Sequence, residues 1–146
     1  MLPREFLSLA ERLSREPSES AWRSAVSRAY YAMFHESRDR LAAWRFLTRQ
    51  SDQAHVAVSR RLGASQVKGL VDLGRALADM KRERNRADYD LPRPFSQSDS
   101  LELVERVDAV QSTAFDLSAD EQRVAIDNMR RYERDVLREV TWQSPN

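Results

Sequence analysis

The chain of 146 residues contains no cysteine, three glycines and two histidines. Without cysteine there are no disulfides, no thiolate metal sites and no cysteine nucleophile. Three scattered glycines exclude a phosphate-cradling loop and a dinucleotide fingerprint, which both need glycines in clusters. His35 and His55 have no acidic pair at ligand spacing, so neither a metal nor a cofactor is expected. Lysine is nearly missing: Lys68 and Lys81 stand against 22 arginines. No apolar run reaches the length of a membrane helix, and the start Met-Leu-Pro-Arg-Glu-Phe lacks the apolar run of a signal peptide. The expectation is a cytoplasmic protein with no membrane partner.

What is present favours helix. Hydrophobic residues make up 41% of the chain, which is ordinary for a globular domain, and Ala, Leu, Arg and Glu are abundant. The net charge of +1 gives no global basic field. Arginine nevertheless gathers locally, around residues 38–49, 81–86 and 130–134. Its planar fork suits bidentate contact with phosphate or carboxylate, although the bias also fits a GC-rich coding sequence.

Helical periodicity runs through nearly the whole chain, with no repeat, no low-complexity segment and no linker. A first helix is expected from Pro3 to Arg15, with Phe6, Leu9, Ala10 and Leu13 on its apolar face. A long second helix is expected from Ser20 to Phe46, capped by Ser18 or Ser20. Its apolar face reads Trp22, Ala25, Val26, Ala29, Tyr30, Met33, Phe34, Leu41 and Trp44, and a polar stripe reads Arg28, Tyr31, His35 and Arg38. After a turn at Gln50–Gln53, a short third helix is expected from Asp52 to Leu62, stopped by Gly63, with His55 as a surface or capping residue. A fourth is expected from Ser65 to Tyr89, where Gly69 and Gly74 invite close approach of a neighbour and Leu-Pro-Arg-Pro at 91–94 ends the ladder. A fifth is expected from Ser98 to Leu117. Ser118 and Glu121 form a capping box for a sixth, which carries Val124, Met129, Tyr132, Val136 and Leu137 among many charges and ends near Val140. These elements define an all-α fold, an antiparallel bundle of five or six helices in one domain, 1–140, followed by a flexible tail, 141–146.

The organising stretch is Lys81–Asp90, Lys-Arg-Glu-Arg-Asn-Arg-Ala-Asp-Tyr-Asp. The stripe Leu70, Leu73, Leu77, Met80 continues at helical spacing into Arg84. Asp88 lies one turn beyond Arg84, and Tyr89 one turn beyond Asn85. A guanidinium, an amide, a carboxylate and a phenol thus meet where the apolar stripe ends. Two readings stay open on residue chemistry: an Arg84–Asp88 pair that closes off a core helix, or a polar site. Metal-free cleavage of RNA by its own 2′-hydroxyl needs a cation for the developing charge and groups that move protons. Arg84 would supply the charge, and His35 or Tyr89 a proton, although a free tyrosine has a pKa of about 10. Tyr31 reads equally as packing and His35 as a half-buried imidazole.

Two stretches, Ser27-Arg28-Ala29-Tyr30-Tyr31-Ala32-Met33-Phe34-His35 and Arg84-Asn85-Arg86-Ala87-Asp88-Tyr89, resemble the HEPN superfamily of small helical proteins. His55 in the third helix fits a bacterial subfamily often encoded beside a minimal nucleotidyltransferase. The resemblance spans roughly residues 21–90. It implies a homodimer whose motifs face each other across a shared cleft, and an RNA or nucleotide ligand in a toxin–antitoxin or stress and defence role. Active HEPN ribonucleases carry an Arg, often followed by Asn, with a His four to six residues on. Arg84 and Asn85 match, and Tyr89 stands where the His belongs. By resemblance, Arg84 is the phosphate contact, Asn85 its positioning partner, Asp88 the orienting carboxylate and Tyr89 the His substitute. Arg28, Tyr31, His35, Arg38, Arg82 and Arg86 are the candidate binding residues. Some family toxins are silenced by a nucleotidyltransferase that modifies a tyrosine near the motif, and Tyr89 holds that position. Either Tyr89 serves a weaker ribonuclease site, or the domain binds without cutting. The alternatives are a non-catalytic module that binds a nucleotidyltransferase or other protein, and a bundle that holds a small molecule between its Trp and Tyr residues.

Overall fold

Ser18 is extended and its Oγ accepts from the Ala21 amide at 3.2 Å, which starts the helix that the rest of the chain packs around. In the computed structural model, which describes residues 1–49, 51 and 53–145, the order is α1 (Pro3–Ser14), α2 (Glu19–Ala43), α3 (Ala54–Ala64), α4 (Lys68–Tyr89), α5 (Gln97–Ala114) and α6 (Ala119–Tyr132). A single π-helical turn, Glu133–Leu137, follows α6. Among the described residues there is no strand, only an isolated antiparallel bridge between Phe46 and Trp142. The protein is an all-α helical bundle. No described helix is long and apolar enough to cross a membrane.

The core forms where the apolar stripes meet. Ala25, Val26, Ala29, Tyr30, Met33, Phe34 and Leu41 of α2 are buried, and α2 packs on α1, α4 and α5. The expected stripe Leu70, Leu73, Leu77 and Met80 of α4 is fully buried against it. Each such side chain contributes about 1.5–3 kcal/mol on leaving water. Of the two glycines expected to admit a neighbour, only Gly74 does so closely. A Cβ there would lie 2.9 Å from the Ser59 carbonyl oxygen of α3, whereas one at Gly69 would meet Ala114 at an ordinary 3.5 Å.

Several boundaries differ from the sequence expectation. The helix α2 stops at Ala43, short of Phe46, because Arg45 turns left-handed (φ 76°) and drops Phe46 into the core. The expected start of the third helix at Asp52 and the turn residue Gln50 lie outside the described residues. The helix α5 is capped by Ser96, whose Oγ accepts from Asp99 N at 3.0 Å, and it ends at Ala114, short of the expected Leu117. The capping box of α6 forms as expected, with Glu121 N to Ser118 Oγ at 3.1 Å and Ser118 N to Glu121 Oε1 at 3.2 Å.

The apolar residues of α6 and the following turn do not all face inward. Val124 and Val136 are exposed, and Ala125, Met129 and Glu133 are buried instead. The helix does not run to Val140: it widens into the π turn and ends at left-handed Arg138 (φ 53°). The reason is a buried ion pair that the apolar count does not register. Arg61 of α3, 3% exposed, donates from Nε to Glu133 Oε2 at 2.7 Å, and Glu133 is 0% exposed. The remaining capacity of Glu133 is filled by the amides of Thr141 and Trp142, both 3.0 Å from Oε1, and by the Thr141 hydroxyl. The segment expected as a loose tail is therefore tied down through residue 144. Leu47 N reaches Thr141 O at 3.4 Å, Gln143 N reaches Arg45 O at 2.9 Å, and Arg45 Nη1 reaches Ser144 O at 3.2 Å. The Arg130 guanidinium covers the Trp142 ring at 3.6 Å.

Candidate functional site

The end of α4 is held by a residue that sequence reading passed over. Arg23 of α2 is buried, and its Nη1 donates to the carbonyls of Ala87 (2.9 Å), Asp90 (3.2 Å) and Arg86 (3.4 Å). Its Nη2 donates to Arg93 O, and Nε pairs with Glu19 at 2.9 Å. A helix C-terminus leaves carbonyls without partners and favours a cation. One guanidinium thus fixes both the last turn of α4 and the 90–93 loop, beside the buried Phe95 ring 5.5 Å away.

On this anchored turn Arg84 faces α2. Its side chain is 18% exposed, and Nε lies 3.0 Å from Asp88 Oδ2. That N–H is not aimed at the oxygen and makes no hydrogen bond, so Nε remains a buried donor without an acceptor. Arg84 Nη1 donates to Asn85 Oδ1 at 3.3 Å. Asp88 is also tied to α2, accepting from Ser27 Oγ at 3.3 Å. The Arg84 guanidinium sits 5.2 Å from the Tyr31 ring and 5.9 Å from the Tyr89 ring. Arg28, one turn before Tyr31, lies 5.4 Å from the same Tyr31 ring and 5.3 Å from Phe6 of α1. No ion pair to Arg28 is formed among the described residues.

Behind this ledge lies a cluster of rings. His35 stacks on Phe6 (5.8 Å) and Tyr31 (5.9 Å). Its pKa is pushed below the usual 6.5, first by burial and then by the Arg38 guanidinium, with Asp39 opposing. Arg38 lies over Phe34 at 5.7 Å. His55 is half-buried and stacks on Phe34 at 4.2 Å, which corrects its reading as a surface or capping residue. The Tyr30 hydroxyl is hydrogen-bonded to His55 Nδ1. Burial, then the neighbouring Tyr31, raise the Tyr30 pKa well above the ordinary phenol value, against the pull of Arg84. The phenol therefore keeps its proton in this contact.

The structure brings together Arg84, Asn85, Asp88, Tyr89, Arg28, Tyr31, His35 and Arg38 along the α2–α4 side of the bundle. It does not bring in Arg82 or Arg86. Arg82 is exposed and pairs with Asp79, which also accepts from Arg106 of α5 at 2.8 Å. Arg86 pairs with Glu83 at 3.0 Å and stacks on Phe95 at 4.5 Å. Two residues along a helix are about 200° of rotation, so neighbours of Arg84 in sequence leave its face. Arg23, Phe6, Ser27, Tyr30 and His55 were not among the candidate site residues, although Ser27 and Tyr30 lie in the first resembling stretch and His55 fits the bacterial subfamily. Of these, Arg23 carried a signal, since it continues the buried stripe Val26, Tyr30, Met33 toward the start of α2. No group of three or more His, Cys, Asp or Glu is placed to hold a metal among the described residues.

Fold and site together define an all-helical bundle with an arginine-flanked aromatic ledge between two of its helices. No family model, curated protein or solved structure matches this chain.

Proposed function

We infer that the chain is a HEPN-type domain that binds RNA or a nucleotide on the ledge between α2 and α4. The observation that carries this reading is the Tyr31 ring with the Arg28 and Arg84 guanidiniums at 5.4 and 5.2 Å. Cations beside a half-buried ring suit a phosphate next to a stacked base. The two arginines come from the two stretches that carry the resemblance. The Arg84 side chain is 18% exposed, which leaves part of it within reach of a ligand oxygen. In this reading Asp88 orients Arg84, Asn85 and Tyr89 border the ligand, and His35 and Arg38 extend the surface. Cleavage ranks second to binding, because the residue nearest Arg84 in the position of the missing His is a phenol and a weak base. Such a domain works in the cytoplasm as a homodimer, within a toxin–antitoxin or stress and defence system.

A rival reading, a non-catalytic module that docks a nucleotidyltransferase or other protein, draws on one specific observation. Tyr89 and Leu91, two large side chains at the end of α4, are 72% and 67% exposed, the kind of apolar surface that a protein partner covers.

The test is binding and cleavage of a labelled single-stranded RNA pool in excess chelator. Arg28→Ala and Arg84→Ala are each expected to weaken binding roughly tenfold, the loss of one charge-assisted contact, while Arg82→Ala leaves it unchanged. Cleavage abolished by both Arg84→Ala and Tyr89→Phe would make the tyrosine a working substitute. Wild-type protein that neither binds nor cuts would favour the docking module.

A further inference from the structure

Away from the ledge, on the far side of α3, a cavity of about 540 Å³ opens between α3 and α6. The spacing of its lining explains it. Arg60, Gly63 and Ala64 share one face of α3, and Asn128, Arg131, Tyr132 and Asp135 share one face of α6 and the π turn. Asn128 Nδ2 donates to the Ser65 carbonyl at 2.8 Å, which ties α6 to the end of α3 beside the cavity. The size falls in the range of small-ligand sites, roughly 300–1,000 Å³.

Charge and space both ask for an occupant. Arg60 and Arg131 stand on opposite walls, and neither forms an ion pair among the described residues. The polar partner of Arg131 is Asn128 Oδ1, at a long 3.5 Å. The carboxylate in the lining, Asp135, bonds Arg134 at 2.7 and 3.1 Å and also feels Arg131, and with Arg60 the lining holds two arginines to one carboxylate. Gly63 supplies room rather than close packing, since a Cβ built on it meets nothing within 4 Å. Tyr132 and the exposed Val136 give the wall an aromatic and apolar part. Two features of this rim are uncommon. Gln66 is left-handed (φ 60°) without being glycine, and the wall passes into a π turn, a form that recurs at functional sites.

From these observations we propose that the α3–α6 cavity is a second binding site, for a small phosphomonoester carried on a planar ring. Arg60 and Arg131 hold the phosphate from both walls, and Tyr132 with Val136 packs the ring. The site shares no residue with the α2–α4 ledge and does not depend on the reading of that ledge.

Isothermal titration with phenyl phosphate tests it, with inorganic phosphate and phenol as the two halves of the probe. The wild-type protein binds phenyl phosphate more tightly than phosphate, and phenol gives no heat. Arg60→Ala and Arg131→Ala each weaken binding roughly tenfold. Gly63→Leu fills the cavity and removes binding while the far-ultraviolet circular dichroism stays helical. Arg84→Ala binds as the wild type does, and so does Arg123→Ala, a charge control on the outer face of α6. The proposal is overturned if the wild type gives no heat, or if Arg60→Ala and Arg131→Ala bind normally. It is equally overturned if Arg84→Ala is the variant that loses binding, or if phosphate alone binds as tightly as phenyl phosphate.

Discussion

Arg61–Glu133 and Arg84–Asp88 are the same chemistry in opposite settings. The first is sealed from water, 2.7 Å between its atoms, with every lone pair of the carboxylate engaged by Thr141 and Trp142. The second is 3.0 Å apart, 18% and 27% exposed, and leaves an N–H without an acceptor. A buried pair is tolerated only when its remaining bonds are made, and breaking it strands a charge in a low-dielectric interior. A partly wet pair adds little to stability, and its exposed part stays available to a ligand. The contrast separates an arginine that holds the fold from one that is free to act.

Glu133→Ala should break the comparison hardest. It strands the Arg61 charge and frees the 141–144 segment, so a loss of about 3–5 kcal/mol is expected, read as a lower urea midpoint. A double replacement, Arg61→Met with Glu133→Met, should recover most of that loss. If the single change moves the midpoint hardly at all, Glu133 is not the buried clamp described. Arg84→Ala is the counterpart and should lower stability by less than about 1 kcal/mol in the same titration. A loss as large as that of Glu133→Ala would make both pairs structural and remove the distinction. The smallest effect belongs to His35. Its pKa is lower folded than unfolded, so its neutral form is favoured in the fold. That contribution is complete above the unfolded value of about 6.5 and is lost as pH falls from there through the folded value. Stability of the wild type and of His35→Asn, followed from pH 8 downward, should run parallel above about 6.5 and diverge below it, with the wild type falling faster. Parallel curves throughout would mean that His35 is as solvated folded as unfolded.

The helices and most of the ledge could be read from the sequence because apolar spacing and capping residues carry them. The stripe from Leu70 to Met80, the break at Pro92, and the Ser118 box follow from local rules. The phase of α6 could not be read in the same way. Its buried stripe runs Ala125, Met129, Glu133, and a glutamate counts as polar, so the apolar residues among its charges do not mark the buried face. The signal was nonetheless of the kind that singled out Arg84: a charged residue at helical spacing on an apolar stripe. Arg61, between Val58 and Leu62, and Arg23, before Val26 and Tyr30, carried it too. What spacing does not contain is the partner, since Glu133 lies 72 residues from Arg61 and the carbonyls held by Arg23 more than 60 residues away. The clustering of Arg82 and Arg86 beside Arg84 misled for the opposite reason, because adjacency along a helix is not adjacency in space.

One side chain that the protein lacks governs the geometry of the ledge. Gly74 lets the backbone of α4 seat against the Ser59 carbonyl, 2.9 Å from where a Cβ would stand. The contact works as a notch: sliding α4 along α3 in either direction would drive a side chain of the next turn into that carbonyl. His55 rides on α3 and Arg84 on α4. The offset between Arg84 on the ledge and the His55 ring behind it is therefore set by a vacancy about 15 Å from Arg84 along the helix axis, much as a tooth missing from a gear sets where two wheels engage.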